Sequence, residues 1–229
     1  MTAKKEKTIG TKNESTLHRS LKYQYTGPGG TTETAVGDYV ADGISASGEY
    51  IEVQTGSFAP LTKKVKMFAS LGKVRIIHPV AIVKRIETYD EKGALLSKRK
   101  SPKKGSQWDI FDALLHAPEL PLNKNVTIEL VLLDITEKRV KDGKGSWRRK
   151  GISLKDREMS AFHDRILFKK PKDYLRFIPF KKKEEFTVSS LADKAAITAD
   201  TARKALYVLT KLKVVKRVGK KGNAWVYVS

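Results

Sequence analysis

The chain has no cysteine. That excludes disulfide scaffolds, thiolate zinc sites, iron–sulfur clusters and cysteine nucleophiles. No apolar run approaches the roughly 20 residues a bilayer-spanning helix needs, so no membrane partner is expected. The first dozen residues are polar and lysine-rich. They lack the apolar stretch of a secretory signal, and a cytoplasmic location is expected. The absence of a G-x-x-x-x-G-K-[ST] loop argues against nucleotide hydrolysis, and no G-x-S-x-G elbow offers a serine nucleophile. The four histidines, His18, His78, His116 and His163, are scattered without metal-ligand spacing. Acidic residues are scarce: 25 Asp and Glu face 46 Lys and Arg in 229 residues, a formal net charge of +21.

A hydrophobic content of 40% suffices for a real core, and the length allows one large domain or two modest ones. The positive excess points to a polyanionic partner, with nucleic acid first among them. Residues 1–14 are charged and aperiodic, and read as a flexible basic arm. Leu17, Leu21 and Tyr25 then recur every fourth residue, one stripe of a helix. Gly27-Pro28-Gly29-Gly30 breaks it. Thr31 to Gln54 is rich in β-formers, with a turn at Ser45–Gly48. Ala59 to Leu71 reads as a helix with Pro60 in its first turn and Gly72 past its end. Val74 to Val83 is a further strand. Helix, strand hairpin, helix and strand together indicate a mixed α/β sheet.

The middle, residues 84–180, reads as a β-rich extension. Asp90–Gly93 is a hairpin turn, Trp108 to His116 a short amphipathic helix, and Val126 to Ile135 a strong strand. Basic runs lie at 98–104 and 138–150, and their shared sign fits a groove that tracks a nucleic-acid backbone. Trp108, Trp147 and Trp225 read first as core anchors, although Trp147 beside Arg148 and Arg149 is also placed to stack on a base.

A boundary is expected near Phe180. From Lys181 to Ser229 there are 12 Lys and Arg against 4 Asp and Glu. Leu191, Ala192 and Ala195 mark one helix; Ala202, Ala205, Leu206, Leu209 and Leu212 mark a second. Val214–Val218 and Ala224–Val228 are strands around the Gly219–Asn223 turn. This order resembles the winged helix-turn-helix family. The resemblance implies a recognition helix offering Thr201, Arg203, Lys204, Tyr207 and Lys211 to nucleic acid, and a wing tip offering Lys220 and Lys221 to phosphates.

In so basic a chain, carboxylates on neighbouring strands need a reason. Asp42 ends one strand and Glu52 lies on the next. Glu52 and Gln54 share one strand face, Ile51 and Val53 the other. If the strands pair, Asp42 and Glu52 converge, and two adjoining carboxylates repel unless a cation lies between them. The pattern Asp42, then Glu52-Val53-Gln54, within the element order over Ser15–Val83, resembles the PD-(D/E)xK nuclease superfamily. Gln54 stands where that pattern has Lys, as in its Glu-x-Gln branch, which includes CoiA-like competence nucleases.

The resemblance implies a restriction-endonuclease-like core over 15–83 and Mg²⁺- or Mn²⁺-dependent hydrolysis of a phosphodiester in DNA. It implies metal ligation by Asp42 and Glu52 with Glu33 assisting, and a water-orienting Gln54. Lys63, Lys64 or Lys66 would supply the missing positive charge. The alternative is an inert nuclease-like core serving as a DNA- or RNA-binding adaptor or regulator. The oligomeric state stays open, a homodimer included.

Overall fold

The computed structural model describes residues 14–229; of the expected basic arm, residues 1–13 lie outside the described residues. The first helix, α1 (Thr16–Thr26), is capped by the Ser15 hydroxyl, which accepts the His18 N–H at 3.3 Å. It stops at Gly27, whose φ of 67° suits a residue without a Cβ. A three-strand meander follows: β1 (Thr31–Val36), β2 (Tyr39–Ile44) and β3 (Tyr50–Val53), each pair antiparallel. The chain crosses back through a 3₁₀ turn carrying Pro60 and through α2 (Thr62–Leu71). It then enters β4 (Val74–Tyr89), parallel to β3. A helix is the usual crossover between parallel neighbours.

β4 is 16 residues long. The strand expected over Val74–Val83 thus runs on to the hairpin turn. β6 (Val126–Lys141) runs parallel to it along its whole length. β3 and the short β5 (Leu95–Lys100) therefore share the opposite edge, at Val74–Ile77 and Arg85–Tyr89 respectively. β7 (Ile152–Phe168) closes the far side, antiparallel to β6. The molecule is a mixed α/β protein with a seven-stranded sheet.

The sheet is covered on both faces. Leu17 and Leu21 of α1 pack on Ile51, Val53, Ile77, Val131, Leu133 and Ile135. The other face carries α2, the short α3 (Ile110–Leu114), and the C-terminal helices α4 (Val188–Lys194) and α5 (Ala199–Lys211). One continuous set of buried apolar side chains joins them, including Phe68, Phe111, Phe177, Leu191 and Leu206. After α5 come β8 (Lys216–Lys221) and β9 (Ala224–Val228), a separate hairpin. β8 starts two residues later than its β-formers indicate, because Val215 is buried in the turn after α5.

The centre of this second face is aromatic. Phe111 meets Phe177 edge-on at 4.7 Å, and Phe168 stacks on Tyr174 at 4.3 Å. Tyr174 is fully buried, and its hydroxyl has no hydrogen-bond partner among the described residues. An unmet buried hydroxyl costs free energy that a ring hydrogen does not. Tyr174→Phe is therefore expected to raise stability by about 1 kcal/mol, read as a later urea midpoint. An earlier midpoint would mean that the hydroxyl is satisfied by buried water.

Candidate active site

The carboxylates meet at a fork. β2 and β3 pair only at Gly43↔Ile51 and Ile44↔Tyr50. Ahead of Gly43 the strands part, and side chains take over from the ladder. Asp42 Oδ2 accepts the Val53 N–H at 2.8 Å, and Glu52 Oε1 accepts the Asp42 N–H at 3.3 Å. Each acid thus bonds the other strand's backbone. Glu52 faces α2 because Ile51 and Val53 are taken by the α1 side. There Lys64 Nζ sits 2.6 Å from Glu52 Oε2. Lys63 and Lys66 are exposed on the same helix, so among the three candidate lysines Lys64 is the one that reaches the pair.

The α1 side adds residues that the sequence reading did not assign. His18 Nε2 lies 3.4 Å from Asp42 Oδ2 and 3.7 Å from Glu14. Lys22 Nζ lies 2.7 Å from Glu14 and also pairs with Glu33. Glu14, His18 and Lys22 are spaced by four, so they share one helix flank. That polar stripe, running beside Leu17-Leu21-Tyr25, was the available signal.

Glu33 does not join the pair. The register on either side, Thr32↔Gly43 and Thr34↔Ala41, sets it opposite Asp42. Its backbone is left-handed (φ 51°), which breaks the ladder there, and its carboxylate ends on Lys22. A non-glycine residue in that region is strained, and such strain concentrates at functional sites. Gln54 is also committed. Its Nε2 donates to the Ser57 carbonyl at 2.7 Å, and its own carbonyl faces His78 Nδ1 at 2.6 Å. Both contacts fix the turn that leaves β3. His78 is buried edge-on against Phe58, and burial holds its pKa below the usual imidazole value despite the Gln54 carbonyl.

The electrostatics separate the two acids. Glu52 is 1% exposed. Burial, and then the Asp42 charge, push its pKa up to about 7, against the opposing pull of Lys64. For Asp42, burial works against ionisation. The His18 hydrogen bond, the Val53 N–H and the Lys64 charge outweigh it and hold Asp42 below the ordinary carboxylate range. His18 is raised in turn, because Asp42 and Glu14 outweigh its burial. One acid is thus firmly ionised, and the other is poised near neutrality. Among the described residues no three His, Asp or Glu side chains form a ready metal cluster; the fork supplies two carboxylates.

A groove of about 320 Å³ opens just past Gln54, lined by Thr55, Ser57, His78, Lys84, Lys103 and Arg157 among others. It fills the stretch of β4 edge between the end of β3 and the start of β5. A ligand crevice beyond the carboxyl end of a strand is the usual place in open α/β sheets.

The C-terminal residues divide into two groups. Lys204 Nζ is held by Asp112 of α3 at 2.8 Å and by Asp200 at 2.7 Å. Tyr207 and Lys211 line a shallow depression with Leu115, His116 and Glu119. The Thr201 hydroxyl lies 2.9 Å from that of Thr198, the α5 cap. Arg203 lines a separate groove with Arg217, Asn223 and Trp225, which Tyr207 also borders. Lys220 lies 4.6 Å from the Trp225 ring and Arg217 5.0 Å from it, while Lys221 is exposed at the hairpin turn. Trp225 and Trp147 are not core anchors: they are 43% and 84% exposed. Only Trp108 packs inward, against Phe111 and Phe177.

Fold and site together define an α/β protein with an acid pair and a lysine set where two strands of a mixed sheet diverge. The chain belongs to the family described as a domain of unknown function (DUF8091), whose model matches residues 15–169. That stretch begins at the α1 cap and ends one residue past β7. It holds the fork and leaves out α4, α5 and the last hairpin. An uncharacterized protein of Treponema pallidum (strain Nichols) is 26% identical over 220 residues, covering 96% of this chain and 87% of the relative. No solved structure matches the chain. Among the described residues no helix is long and apolar enough to cross a membrane.

Proposed function

We propose that this protein is a metal-dependent nuclease that hydrolyses phosphodiester bonds in DNA, with a C-terminal winged helix that holds the nucleic acid. The observation that carries the reading is the fork, where Asp42, Glu52 and Lys64 converge on two diverging strands. The order of elements supports it: α1, a three-strand meander, α2 and a parallel β4 are the parts a PD-(D/E)xK core requires. Two helices and a basic hairpin with Arg203, Arg217 and Lys220 on one face support the winged-helix part.

The fork suits Mg²⁺ or Mn²⁺. Mg²⁺ commonly takes one or two carboxylates and completes its shell with water and phosphate oxygens. Burial, and then the Asp42 charge, drive Glu52 towards neutrality despite Lys64, and a cation between the two carboxylates would relieve their mutual repulsion. Asp42 and Glu52 would hold the ion, which when bound polarises a phosphoryl oxygen and acidifies water.

The chain's own groups do the rest. Lys64 fixes a positive charge beside the acids, where charge gathers on the phosphoryl oxygens. His18 keeps Asp42 ionised and oriented. Gln54 pins the turn after β3 through its amide nitrogen, and its side-chain oxygen is the end that orients water.

A second reading, an inert adaptor or regulator that binds DNA or RNA, is favoured by Glu33, which pairs with Lys22 rather than the fork, and by the uncharged Gln54. Supercoiled plasmid incubated with the protein in Mg²⁺, Mn²⁺ or EDTA separates the two. Metal-dependent nicking is expected; retarded but intact plasmid in all three conditions would establish the adaptor.

A further inference from the structure

The charge excess lies away from the fork. Residues 14–83 hold seven Lys and Arg against six Asp and Glu, whereas residues 84–104 and 134–165 together hold 18 against nine. Those two stretches build the outer half of the sheet. The α1 N-terminus is fastened to β7 there, with the Thr16 N–H and hydroxyl on the Asp156 carboxylate at 2.8 and 2.5 Å. The β6–β7 ladder continues beyond that point to Lys141↔Ile152, about 13 Å further at strand rise. Its end loop, 142–151, carries the most exposed large apolar side chain among the described residues, Trp147.

This loop is constructed, not loose. Asp142 accepts the Lys144 N–H at 3.0 Å and the Ser153 hydroxyl at 2.7 Å. The Gly145 N–H reaches the Gly151 carbonyl at 3.0 Å, and a Cβ at Gly145 would lie 2.0 Å from the Ile152 carbonyl oxygen. A 3₁₀ turn over Trp147–Arg149 closes with the Lys150 N–H on the Trp147 carbonyl at 3.0 Å. This frame holds the Trp147 ring in solvent, with Arg148 5.5 Å from it and Arg149 and Lys150 alongside. An open aromatic face among cations is what an unpaired base and its flanking phosphates require. Bases within a duplex are already stacked and cannot use it.

We propose that the 142–151 loop is a second nucleic-acid contact that takes a single-stranded segment. Trp147 stacks on a base, and Arg148, Arg149 and Lys150 hold the neighbouring phosphates. The inference rests on the nucleic-acid reading above for its ligand class, but not on catalysis. The substrate then carries unpaired nucleotides beyond the stretch held at the fork.

The test is fluorescence anisotropy with the full chain in EDTA, using labelled oligo(dT) and a labelled duplex. Trp147→Ala is expected to weaken oligo(dT) binding about tenfold or more and duplex binding less than about twofold, with Trp147→Phe restoring most of the loss. Arg148→Ala with Arg149→Ala is expected to weaken both ligands and flatten the salt dependence. Trp147 is exposed, so its variants should melt like wild type. An equal loss on both DNAs, or no loss on either, overturns the proposal. So does Trp147-dependent binding to phosphatidylserine vesicles with oligo(dT) binding unchanged. Failure of the nuclease is read separately: intact Trp147-dependent binding without plasmid nicking sinks the catalytic reading and leaves this contact standing.

Discussion

Asp42→Asn is expected to lower Mg²⁺-dependent nicking about a thousandfold or more while leaving DNA retention within about twofold of wild type. The substitution is nearly isosteric. An amide oxygen at the Oδ2 position still accepts the Val53 N–H, so the fork keeps its shape. What disappears is the one charge in the fork that its surroundings hold firmly ionised. Loss of about 4 kcal/mol of transition-state stabilisation is about a thousandfold in rate. A melting curve that matches wild type removes the trivial explanation of a misfolded variant. Lys64→Met tests the charge on the other side and is expected to cost less, because a cation beside the pair assists the reaction but holds no metal. If Asp42→Asn nicks plasmid at the wild-type rate, the fork is not the site.

His18 gives a subtler readout. It touches Asp42 and not the reacting atoms, so it is a positioning residue. His18→Gln is expected to raise the Mg²⁺ concentration needed for half-maximal nicking severalfold, because Asp42 loses the partner that orients and ionises it, while the acidic limb of the pH–rate profile, set by Glu52, stays in place. A merely structural role would lower the rate equally at every Mg²⁺ concentration.

How much of this was legible in the sequence depends on the length scale of each signal. The α1 stripe, the strand character of 31–54 with its Ser45–Gly48 turn, and the last hairpin are local patterns, and they stand in the structure; a second turn at Gly37–Asp38 makes three strands of 31–54, and Pro60 sits in a 3₁₀ turn ahead of α2. Asp42 and Glu52 were legible as a pair because strand alternation and one turn bring them together. Lys64 was not separable from Lys63 and Lys66: it points to a different flank of the helix from the other two, and tertiary packing alone decides which flank meets the acids.

β7 escaped notice for a physical reason. Lys155 to Arg165 carries charge on both faces, because β7 pairs with β6 alone and is an edge strand along its whole length, and edges are kept polar to prevent further pairing. Glu33 illustrates a different limit. Register puts it opposite Asp42, but a left-handed φ turns it towards Lys22, and no pattern in the letters announces that. The exposure of Trp147 and Trp225 likewise depends on where two hairpins end.

The Glu52 environment makes a prediction that needs no substrate. Its pKa is pushed from 4.5 to about 7. Between those values the folded protein holds a proton that the unfolded chain has released. Stability therefore falls as pH rises through this window, and the loss is complete above pH 7. Below pH 4.5 both states are protonated and the group contributes nothing. The displacement corresponds to about 3 kcal/mol. Glu52→Gln mimics the protonated form at every pH, with Lys64 facing a neutral partner just as it does in acid.

The variant should match wild type near pH 4 and exceed it by up to about 3 kcal/mol at pH 8, read from urea midpoints across the range. Mg²⁺ should then raise the melting temperature of wild type at pH 8 and leave Glu52→Gln unmoved, because only the ionised pair gains from the cation. A stability gap that stays constant with pH would mean that Glu52 is ionised throughout and fully compensated by Lys64. The acid pair would then be a structural clasp between β2, β3 and α2.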